Sequence, residues 1–331
     1  MNTRLIAAYG GSLETASAIA ALAARLGTEP VTLTVDVGQP VDLELARDRA
    51  LASGAARAHV IDARGELATR VLAPALMAGA FGRGPLSTAV SRPIIAAHLV
   101  AVARMEGATD VAHGATGADR VRLESLIHDL APELAVHALD GTAARSMPAI
   151  HENLWGRSVL MPAASDAPAG PAVRAFTRTH GPDACSPDPA VLEISFERGV
   201  PVAVNGVPLA VPELIEVVDT IGGDHGVGRF DSAEGGTRRV EESPASVVLA
   251  AATTALVASG LTDEQRSLWT ASADAYRAVI LDGGWHSTAR TQLDAFVRET
   301  VGELSGVVRL RLLGGQCRVA PEASRAELAL I

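Results

Sequence analysis

The chain has 331 residues, of which 48% are hydrophobic and 20% charged, and its formal net charge is −10. This length is enough for two domains, and the acidic balance, without any basic patch, disfavours a nucleic-acid partner. No run approaches the ~20 apolar residues of a membrane span, and the start of the chain lacks a signal-peptide pattern, so we expect no membrane partner and a cytoplasmic location. Cys185 and Cys317 lack disulfide or zinc spacing, and we predict no protein-held metal.

Up to about residue 140, short apolar runs alternate with stretches of helical periodicity. This alternation indicates a parallel sheet with helices on both faces, and hence an α/β fold. The pattern predicts strands at Leu5–Tyr9, Val31–Val37, Ala58–Asp62, 109–115 and Val136–Leu139, and helices at Thr15–Leu26, Leu43–Ala52 and Arg92–Arg104.

Residues 162–190 are rich in Pro, Ala and Gly and have little periodicity, which indicates a linker or an irregular crossing. The part that follows has an α+β pattern. It predicts a β pair at 191–209, helices at Val211–Ile221, Ala245–Gly260 and Asp263–Leu281, and a second β pair at 306–320. We therefore predict two domains, residues 1–165 and residues 166–331.

The first predicted strand ends in Gly10, Gly11 and Ser12 and leads directly into a helix. In a parallel sheet this turn is a favoured place for phosphate, because glycines let backbone N–H groups approach an anion and the helix presents its positive end. Thr15 adds a hydroxyl to the same turn. The residues fit neither a dinucleotide fingerprint nor a Walker motif, so a simple tight turn is the alternative.

Several segments carry a resemblance over nearly the full length of the chain. They are AAYGGSLETAS, VDVGQPVDLELARDRALASGA, HGATG followed by VRLE, HENLWGRS, FERGVPVAVNG, DHGVGRFD and GWHSTARTQLDAFV. In order and approximate spacing they resemble the argininosuccinate synthase family of the N-type ATP pyrophosphatase (PP-loop) superfamily, and the chain is similar to a divergent, shortened member. The resemblance implies a Rossmann-like nucleotide-binding domain of the adenine nucleotide alpha-hydrolase type, followed by an α+β synthetase domain.

The resemblance also implies a reaction. Members of the family activate the ureido oxygen of citrulline with ATP and release pyrophosphate, and the amine of aspartate then displaces AMP. Magnesium accompanies the ATP, and catalysis consists mainly of positioning two substrates and stabilising phosphate charge. The implied partners are small-molecule substrates, further copies of the chain in a homo-oligomer, and a downstream lyase that releases fumarate from the adduct.

By the same resemblance, the nucleotide is bound by the first turn, the end of the second strand and the HGATG segment. These positions are Ala8, Tyr9, Gly10, Gly11, Ser12, Glu14, Thr15, Val35, Gln39, His113, Gly114 and Gly117. The first turn departs from the family, since Gly10 and Ser12 stand where the family has Ser and Gly, and Glu14 replaces Asp. Compared with the family, the turn keeps its backbone N–H donors, whereas the positions of its hydroxyl groups change. The alternative for His113 is a structural role, in which the side chain does not contact the nucleotide.

The resemblance gives catalytic roles to Asp119 and Arg122, with aspartate held by Thr116 and Asp119 and citrulline met by Arg122. The other implied substrate-binding positions are Gly84, Thr88, Ser158, Glu234 and Glu241. Here too the sequence departs from the family. Gly84 and Glu241 each stand where the family has Tyr, and the segment between HGATG and VRLE is two residues shorter and lacks an Asn that contacts both substrates.

These departures predict a changed acceptor, because a polar pocket that loses hydrogen-bond partners rejects its former substrate. Our first hypothesis is an ATP-dependent ligase that forms AMP and pyrophosphate and joins aspartate, or a related amine, to a ureido or amide acceptor that need not be citrulline. The second is argininosuccinate synthesis in arginine biosynthesis, and the third is a non-catalytic nucleotide-binding protein.

Glu241 has two interpretations. If it lines the site, its buried carboxylate requires a partner, which would be an amine, a guanidine-like group or Arg122. The alternative is an exposed glutamate in a displaced loop.

Overall fold

The computed structural model describes residues 3–139, 149–162, 176–234 and 236–320. The first half contains a five-stranded parallel sheet with the strand order β3-β2-β1-β4-β5. Its strands are β1 (Arg4–Ala8), β2 (Glu29–Asp36), β3 (Arg57–Asp62), β4 (Asp110–His113) and β5 (Ala135–Ala138). The strand order reverses between β1 and β4, which is where open parallel sheets bind ligands. The predicted α/β fold is confirmed.

Helices cover both faces of this sheet. They are α1 (Leu13–Leu26), α2 (Leu43–Ala52), a run of α3 (Arg64–Glu66), a π-helical turn (Leu67–Leu72) and α4 (Ala73–Met77), then α5 (Arg92–Glu106) and α6 (Gly117–Leu130). Successive strand residues point to opposite faces. Leu5 and Ala7 of β1 therefore join the core under α1 and α2, whereas Ile6 joins the larger core on the other face.

The helices predicted in this half coincide with α1, α2 and α5, whereas α6 lies where the sequence predicts no helix. The reason is the composition of α6. Only Arg122, Leu123, Leu126 and Ile127 of its fourteen residues are buried. Such a narrow buried stripe in a polar segment gives a weak periodic signal.

The second half contains two antiparallel sheets, in the orders β10-β9-β8-β13-β14 and β11-β12-β7-β6. The strands are β6 (Ala149–Asn153), β7 (Gly156–Pro162), β8 (Ala190–Glu197), β9 (Val200–Val204), β10 (Val207–Pro208), β11 (Arg229–Glu234), β12 (Thr237–Glu242), β13 (Gly306–Leu313) and β14 (Gln316–Val319). The helices are α7 (Val211–Asp224), α8 (Pro244–Gly260), α9 (Asp263–Leu281) and α10 (Thr288–Val301). The predicted α+β character is confirmed. Within the described residues, no helix combines the length and hydropathy needed to cross a bilayer.

Strands β6 and β7 pair with each other before the segment predicted as a linker, yet β7 also pairs with β12 from beyond it. The sequence analysis predicts no strand here, because charged residues interrupt the short apolar runs. Of residues 162–190, the described stretch 176–189 contains neither helix nor strand. The predicted domain boundary between residues 165 and 166 lies outside the described residues.

A buried carboxylate fixes the end of β12. Glu242 is 0% exposed and accepts backbone N–H groups of residues 177–179 at 2.8–2.9 Å. Its other oxygen lies 3.2 Å from Nη1 of Arg157. A buried charge requires partners of this kind. The network holds in place the strand that carries Glu241.

The loop between α4 and α5 is held from the second half of the chain. The indole N–H of the fully buried Trp155 donates to the carbonyl of Pro85 at 2.9 Å. Nη1 of Arg277, on α9, donates to the carbonyl of Gly84 at 2.9 Å. These contacts fix the loop that carries Gly84 and Thr88.

Candidate active site

A cavity of about 640 Å³ opens at the carboxyl ends of β1, β2 and β4. This edge is where parallel sheets bind ligands, and the volume is within the range of small-molecule sites. The start of α5 and strand β6 complete the walls. The sequence-predicted residues that line it are Ala8, Tyr9, Gly10, Thr15, Val35, Gln39, Thr88, His113 and Gly114.

The two glycines of the first turn have different roles. Gly11 has a φ of +94°, and a Cβ there would lie 3.3 Å from the side chain of Ala46, so the turn requires glycine at this position. A Cβ at Gly10 would meet nothing within 4 Å, and Gly10 faces the cavity. The Ser12 hydroxyl accepts the N–H of Thr15 at 3.1 Å and thereby caps α1. Ser12 is thus engaged in capping, whereas Gly10 leaves open space beside the start of α1.

The side chain of Gln39 shapes the end of β2. Its Nε2 donates to the carbonyl of Val35 at 2.8 Å, and its Oε1 accepts the N–H of Val37 at 2.8 Å. This pair of bonds closes a tight loop and presents the two valines to the cavity. An apolar wall next to the backbone donors of the first turn suits an aromatic base joined to a phosphate chain.

His113 ends β4 and is 1% exposed. Its Nδ1 accepts the N–H of Ala115 at 3.2 Å, which assigns the proton of the neutral ring to Nε2, 3.4 Å from Oε1 of Glu124. Burial lowers the pKa of His113, and the Glu124 carboxylate opposes that effect without cancelling it. His113 is therefore a neutral, fixed group at pH 7 rather than a cation.

Asp119 lies between two arginines beside the cavity. Its carboxylate accepts from Nη2 of Arg92 at 3.0 Å and from Nη1 of Arg122. Nε of Arg122 also donates to the carbonyl of Leu281 at 2.8 Å. Burial acts to raise the pKa of Asp119, but the two guanidinium groups outweigh it and hold that pKa below its usual range. Asp119 is thus an ionised carboxylate in a fixed orientation at neutral pH.

Three side chains form a row across neighbouring strands. His151 of β6, Ser158 of β7 and Glu241 of β12 are directly opposite one another, so they share one face of the sheet. Ser158 is 0% exposed, and its hydroxyl has no hydrogen-bond partner among the described residues. Nδ1 of His151 lies 3.4 Å from Nη2 of Arg92. Burial, together with Arg92, lowers the pKa of His151.

Glu241 is half-buried in β12, not exposed in a displaced loop. It accepts a hydrogen bond from the hydroxyl of Ser87 rather than from Arg122. It also faces Arg277, whose pKa is lowered by burial while the charge of Glu241 opposes that shift. Gly84 has a φ of +128°, and a Cβ there would lie 3.7 Å from Nη2 of Arg277. A large side chain at this position would be strained and would compete with Arg277 for space.

The remaining predicted site residues do not line the cavity. They are Gly11, Ser12, Glu14, Gly84, Thr116, Gly117, Asp119, Arg122, Ser158 and Glu241. Thr116 is exposed at the start of α6, and its side chain makes no capping hydrogen bond to that helix. For Glu234 only the backbone, in β11, is described. The structure thus brings the glycine turn and the arginines around Asp119 next to one cavity.

The side chains of this site that the sequence did not single out include Ser87, Arg92, Arg157, His151 and Arg277. A charged residue at the start of an otherwise buried helix is a signal that could have identified Arg92. His151 begins the HENLWGRS segment, where a polar residue on a strand could have been singled out. Ser87 resembles any loop serine and Arg277 any helix-surface arginine, because only long-range packing gives them their place.

The cavity fits a nucleoside triphosphate in its chemistry. The first turn offers backbone N–H groups at the start of α1, where the helix dipole favours an anion. Arg92 and Arg157 add two cationic side chains to the walls. In the part of the chain that the structure describes, no three His, Cys, Asp or Glu side chains are grouped to hold a metal ion.

The strand order, the cavity at the carboxyl edge and the glycine turn define a Rossmann-like nucleotide-binding α/β protein. Two family models match the chain. The Arginosuccinate synthase N-terminal HUP domain matches residues 4–149, and the Arginosuccinate synthase C-terminal domain matches residues 149–329.

Three relatives described as argininosuccinate synthase cover nearly the whole chain. The protein from Dehalococcoides mccartyi is 37% identical over 98% of this chain and 87% of its own length. That from Rubrobacter xylanophilus is 35% identical over 96% and 85%, and that from Pyrobaculum aerophilum is 34% identical over 97% and 89%. The chain belongs to the argininosuccinate synthase family, a family of carbon–nitrogen ligases. The resemblance stated from the sequence is confirmed.

Proposed function

We propose that the protein is an ATP-dependent carbon–nitrogen ligase that releases AMP and pyrophosphate. In the proposed reaction, the oxygen of a ureido or amide acceptor is adenylated, and the amine of aspartate, or a related amine, attacks the activated carbon and displaces AMP. Adenylation is needed because a urea or amide oxygen is a poor leaving group, whereas a phosphate ester departs readily. The proposal rests on one observation: a single cavity is lined by the glycine turn and by Arg92, whose guanidinium holds Asp119.

We assign the triphosphate to the first turn. The open space at Gly10 and the N-terminus of α1 support this assignment. The valine wall braced by Gln39 supports a position for the adenosine, and His113 with Gly114 borders the cavity at the neighbouring strand. Gly11 and Ser12 contribute indirectly, by fixing the shape of the turn.

Asp119 and Arg122 are the proposed positioning groups for the reacting substrates. An ionised carboxylate in a fixed orientation can accept hydrogen bonds from the amine, and a guanidinium can donate to a carboxylate or a ureido oxygen. The exposed hydroxyl of Thr116 supports binding of a substrate carboxylate at the start of α6.

The acceptor end of the proposed site differs most from the family pattern. Glu241 is held by Ser87 and faces Arg277, and the backbone at Gly84 has a conformation that disfavours a larger side chain. Ser158 adds a buried hydroxyl without a partner among the described residues, which is rare unless a ligand or water supplies one. The charge at Glu241 and the backbone at Gly84 support an acceptor other than citrulline.

A second candidate is the synthesis of argininosuccinate from citrulline and aspartate. The names of the three relatives favour it, because their similarity extends over nearly the whole chain at 34–37% identity. Thr88 and Ser158 also support it, since both retain a hydroxyl at positions that the family uses for citrulline.

Pyrophosphate release with ATP, Mg²⁺ and aspartate distinguishes the two candidates. The assay compares citrulline with a panel of other ureido and amide compounds. The first proposal predicts that a panel member reacts faster than citrulline, whereas the second predicts that citrulline is best and that the gene rescues an arginine auxotroph. If no compound leads to pyrophosphate release although calorimetry shows that ATP binds, both candidate functions would be contradicted. The protein would then be a nucleotide-binding protein without ligase activity.

The proposal includes further partners. Mg²⁺ would be bound to the ATP phosphates, and a lyase that removes fumarate would consume the adduct if aspartate is the amine. A homo-oligomer and a cytoplasmic location are also part of the proposal. Both described cysteines, Cys185 and Cys317, are free thiols, which suits a reducing compartment.

A further inference from the structure

A second cavity, of about 470 Å³, lies on the other side of α5. Pro93 and Ile94 line it, whereas Arg92 and Ile95 line the first cavity, so α5 forms a wall of both. The two cavities share no lining residue. The remaining walls of the second cavity come from α3 to α4 in the first half of the chain and from Trp285 to α10 in the second half. A ligand in it would contact both halves of the chain.

Positive charge exceeds negative charge in this cavity. Arg70, Arg290 and Arg298 line it together with Glu66 and Asp294. Arg70 lies 3.3 Å from Glu66, and Arg290 lies 2.9 Å from Asp294. The side chain of Arg298 has no hydrogen-bond or ion-pair partner among the described residues. The cavity therefore has one arginine side chain that the protein itself does not pair with an anion.

The rest of the wall is apolar and partly flat. The ring of Trp285 is 5% exposed and packs under the guanidinium of Arg290, with Cζ 3.9 Å from the ring centroid. Ile94, Met77 and Val297 add aliphatic surface. An apolar body packs well on such a surface, because burial of apolar area is favourable.

We infer that this cavity is a second small-molecule site, which binds an organic anion, a carboxylate or a phosphate monoester, carried on a flat apolar body. The anionic group is bound by Arg298. The body packs against Trp285 and Ile94. The volume is within the range of small-ligand pockets. This inference stands on the geometry of the second cavity and is independent of the proposed ligase activity.

Two elements connect this second site to Asp119. On one side, α5 begins with Arg92, the partner of Asp119, and its next two residues line the second cavity. On the other side, the carbonyl of Leu281 accepts from Arg122, and the chain continues through a turn to Trp285. A ligand that restrains Trp285 and the start of α5 acts on both arginines that hold Asp119. A change in the kinetics at the first cavity is expected from this connection, and this expectation, unlike the site itself, rests on the proposed function.

Isothermal titration calorimetry with phenylacetate and phenyl phosphate tests the site. Each probe is titrated with and without saturating ATP, so that binding in the first cavity is recognised by competition. Two compounds serve as controls. Acetate has the anionic group without an aromatic ring, and phenethylammonium has the aromatic ring with a positive charge. We expect saturable one-site binding of at least one aromatic anion that ATP does not displace, and weak or no binding of the two controls.

Variants locate the binding. Arg298→Gln changes an exposed residue in the last turn of α10. It should weaken binding of the aromatic anion about tenfold, because it removes a charged hydrogen-bond donor. Arg25→Gln, at an exposed position in the last turn of α1, is the matched control and should leave the affinity unchanged. Unchanged thermal unfolding of both variants shows that they are folded.

Three results would overturn the inference. They are the absence of saturable binding of either aromatic anion, equal binding of phenethylammonium, and an affinity that Arg298→Gln does not change. If a second copy of the chain covers this cavity, calorimetry would detect no binding of the probes. The protein would then be an oligomer in sedimentation experiments, and Arg298→Glu would dissociate it. That outcome also contradicts a small-molecule site.

Discussion

Glu241 of β12 accepts a hydrogen bond from the hydroxyl of Ser87, a residue 154 positions away in the loop before α5. The bond joins the second half of the chain to the loop that also carries Gly84 and Thr88. It satisfies a half-buried carboxylate with a neutral donor and leaves its charge facing Arg277. The proposed acceptor side of the site therefore contains a negative charge at this position.

The strength of this contact can be measured by a double-mutant cycle. We expect Ser87→Ala and Glu241→Gln to show a coupling energy of about 1–2 kcal/mol in urea unfolding, because a hydrogen bond to a charged group is lost in each. Ser91→Ala is the matched control, since that hydroxyl lies near the carbonyl of Thr88 and not near Glu241. Coupling of the same size between Ser91→Ala and Glu241→Gln would contradict a specific contact.

Gly10 offers a gain-of-affinity test of the first turn. A side chain fits there because a Cβ meets nothing within 4 Å. If the turn holds phosphate, Gly10→Ser adds a hydroxyl donor and should tighten ATP binding about tenfold in calorimetry. Gly10→Ala provides the same Cβ without the hydroxyl and should change the affinity less than about twofold. Equal affinities of the Ser and Ala variants would show that the hydroxyl meets no phosphate.

Asp119→Asn tests the positioning role of the carboxylate between Arg92 and Arg122. The substitution keeps the shape and removes the charge, so we expect kcat/KM for the condensation to fall about 100-fold. The affinity for ATP should stay within about threefold, because Asp119 does not line the cavity. Asp129→Asn, an exposed position on the same helix, is the control. A comparable loss of ATP affinity would instead indicate a structural role.

Stability should depend on pH through Asp219, on α7. Burial raises the pKa of its carboxyl to about 6, and Arg178 only partly opposes that effect. Because the folded pKa lies above the unfolded value of about 3.9, the folded state binds this proton more readily between pH 4 and 6. The contribution of Asp219 to stability is therefore complete below about pH 4 and is lost as the pH rises through about 6.

Asp219→Asn should abolish that dependence, since the amide cannot ionise. Relative to this variant, the wild-type free energy of unfolding should fall by about 2 kcal/mol between pH 4 and 6.5 in urea titrations. Asp224→Asn, at the exposed end of the same helix, should retain the wild-type pH profile. Parallel profiles for the wild type and Asp219→Asn would refute the raised pKa.

Much of the fold follows from local patterns in the sequence. The helix predicted over Asp263–Leu281 has the observed bounds, because Thr262 caps its start and the apolar spacing is regular. By contrast, β7 pairs with β12, whose residues lie far along the chain, and β6 pairs with β7. Such pairing leaves a weak local signal, so these strands were not predicted.

The site was predictable only where a family motif marks it. The glycine turn, His113 and Asp119 lie within such motifs, whereas the contacts that define their environment are long-range. Arg92 is 27 residues from Asp119, and Ser87 is 154 from Glu241. No spacing rule connects residues at such separations, because their contact depends on how the sheets pack. Their assigned roles in binding and catalysis stay predictions.

The most direct test of the ligase proposal follows the oxygen of the acceptor. Citrulline and the panel compounds, each labelled with ¹⁸O at the ureido or amide carbonyl, are incubated with ATP, Mg²⁺ and aspartate, and the products are analysed by mass spectrometry. Adenylation of that oxygen predicts AMP that carries one ¹⁸O and pyrophosphate that carries none. Unlabelled AMP, or ADP and phosphate as the products, would contradict the proposed chemistry.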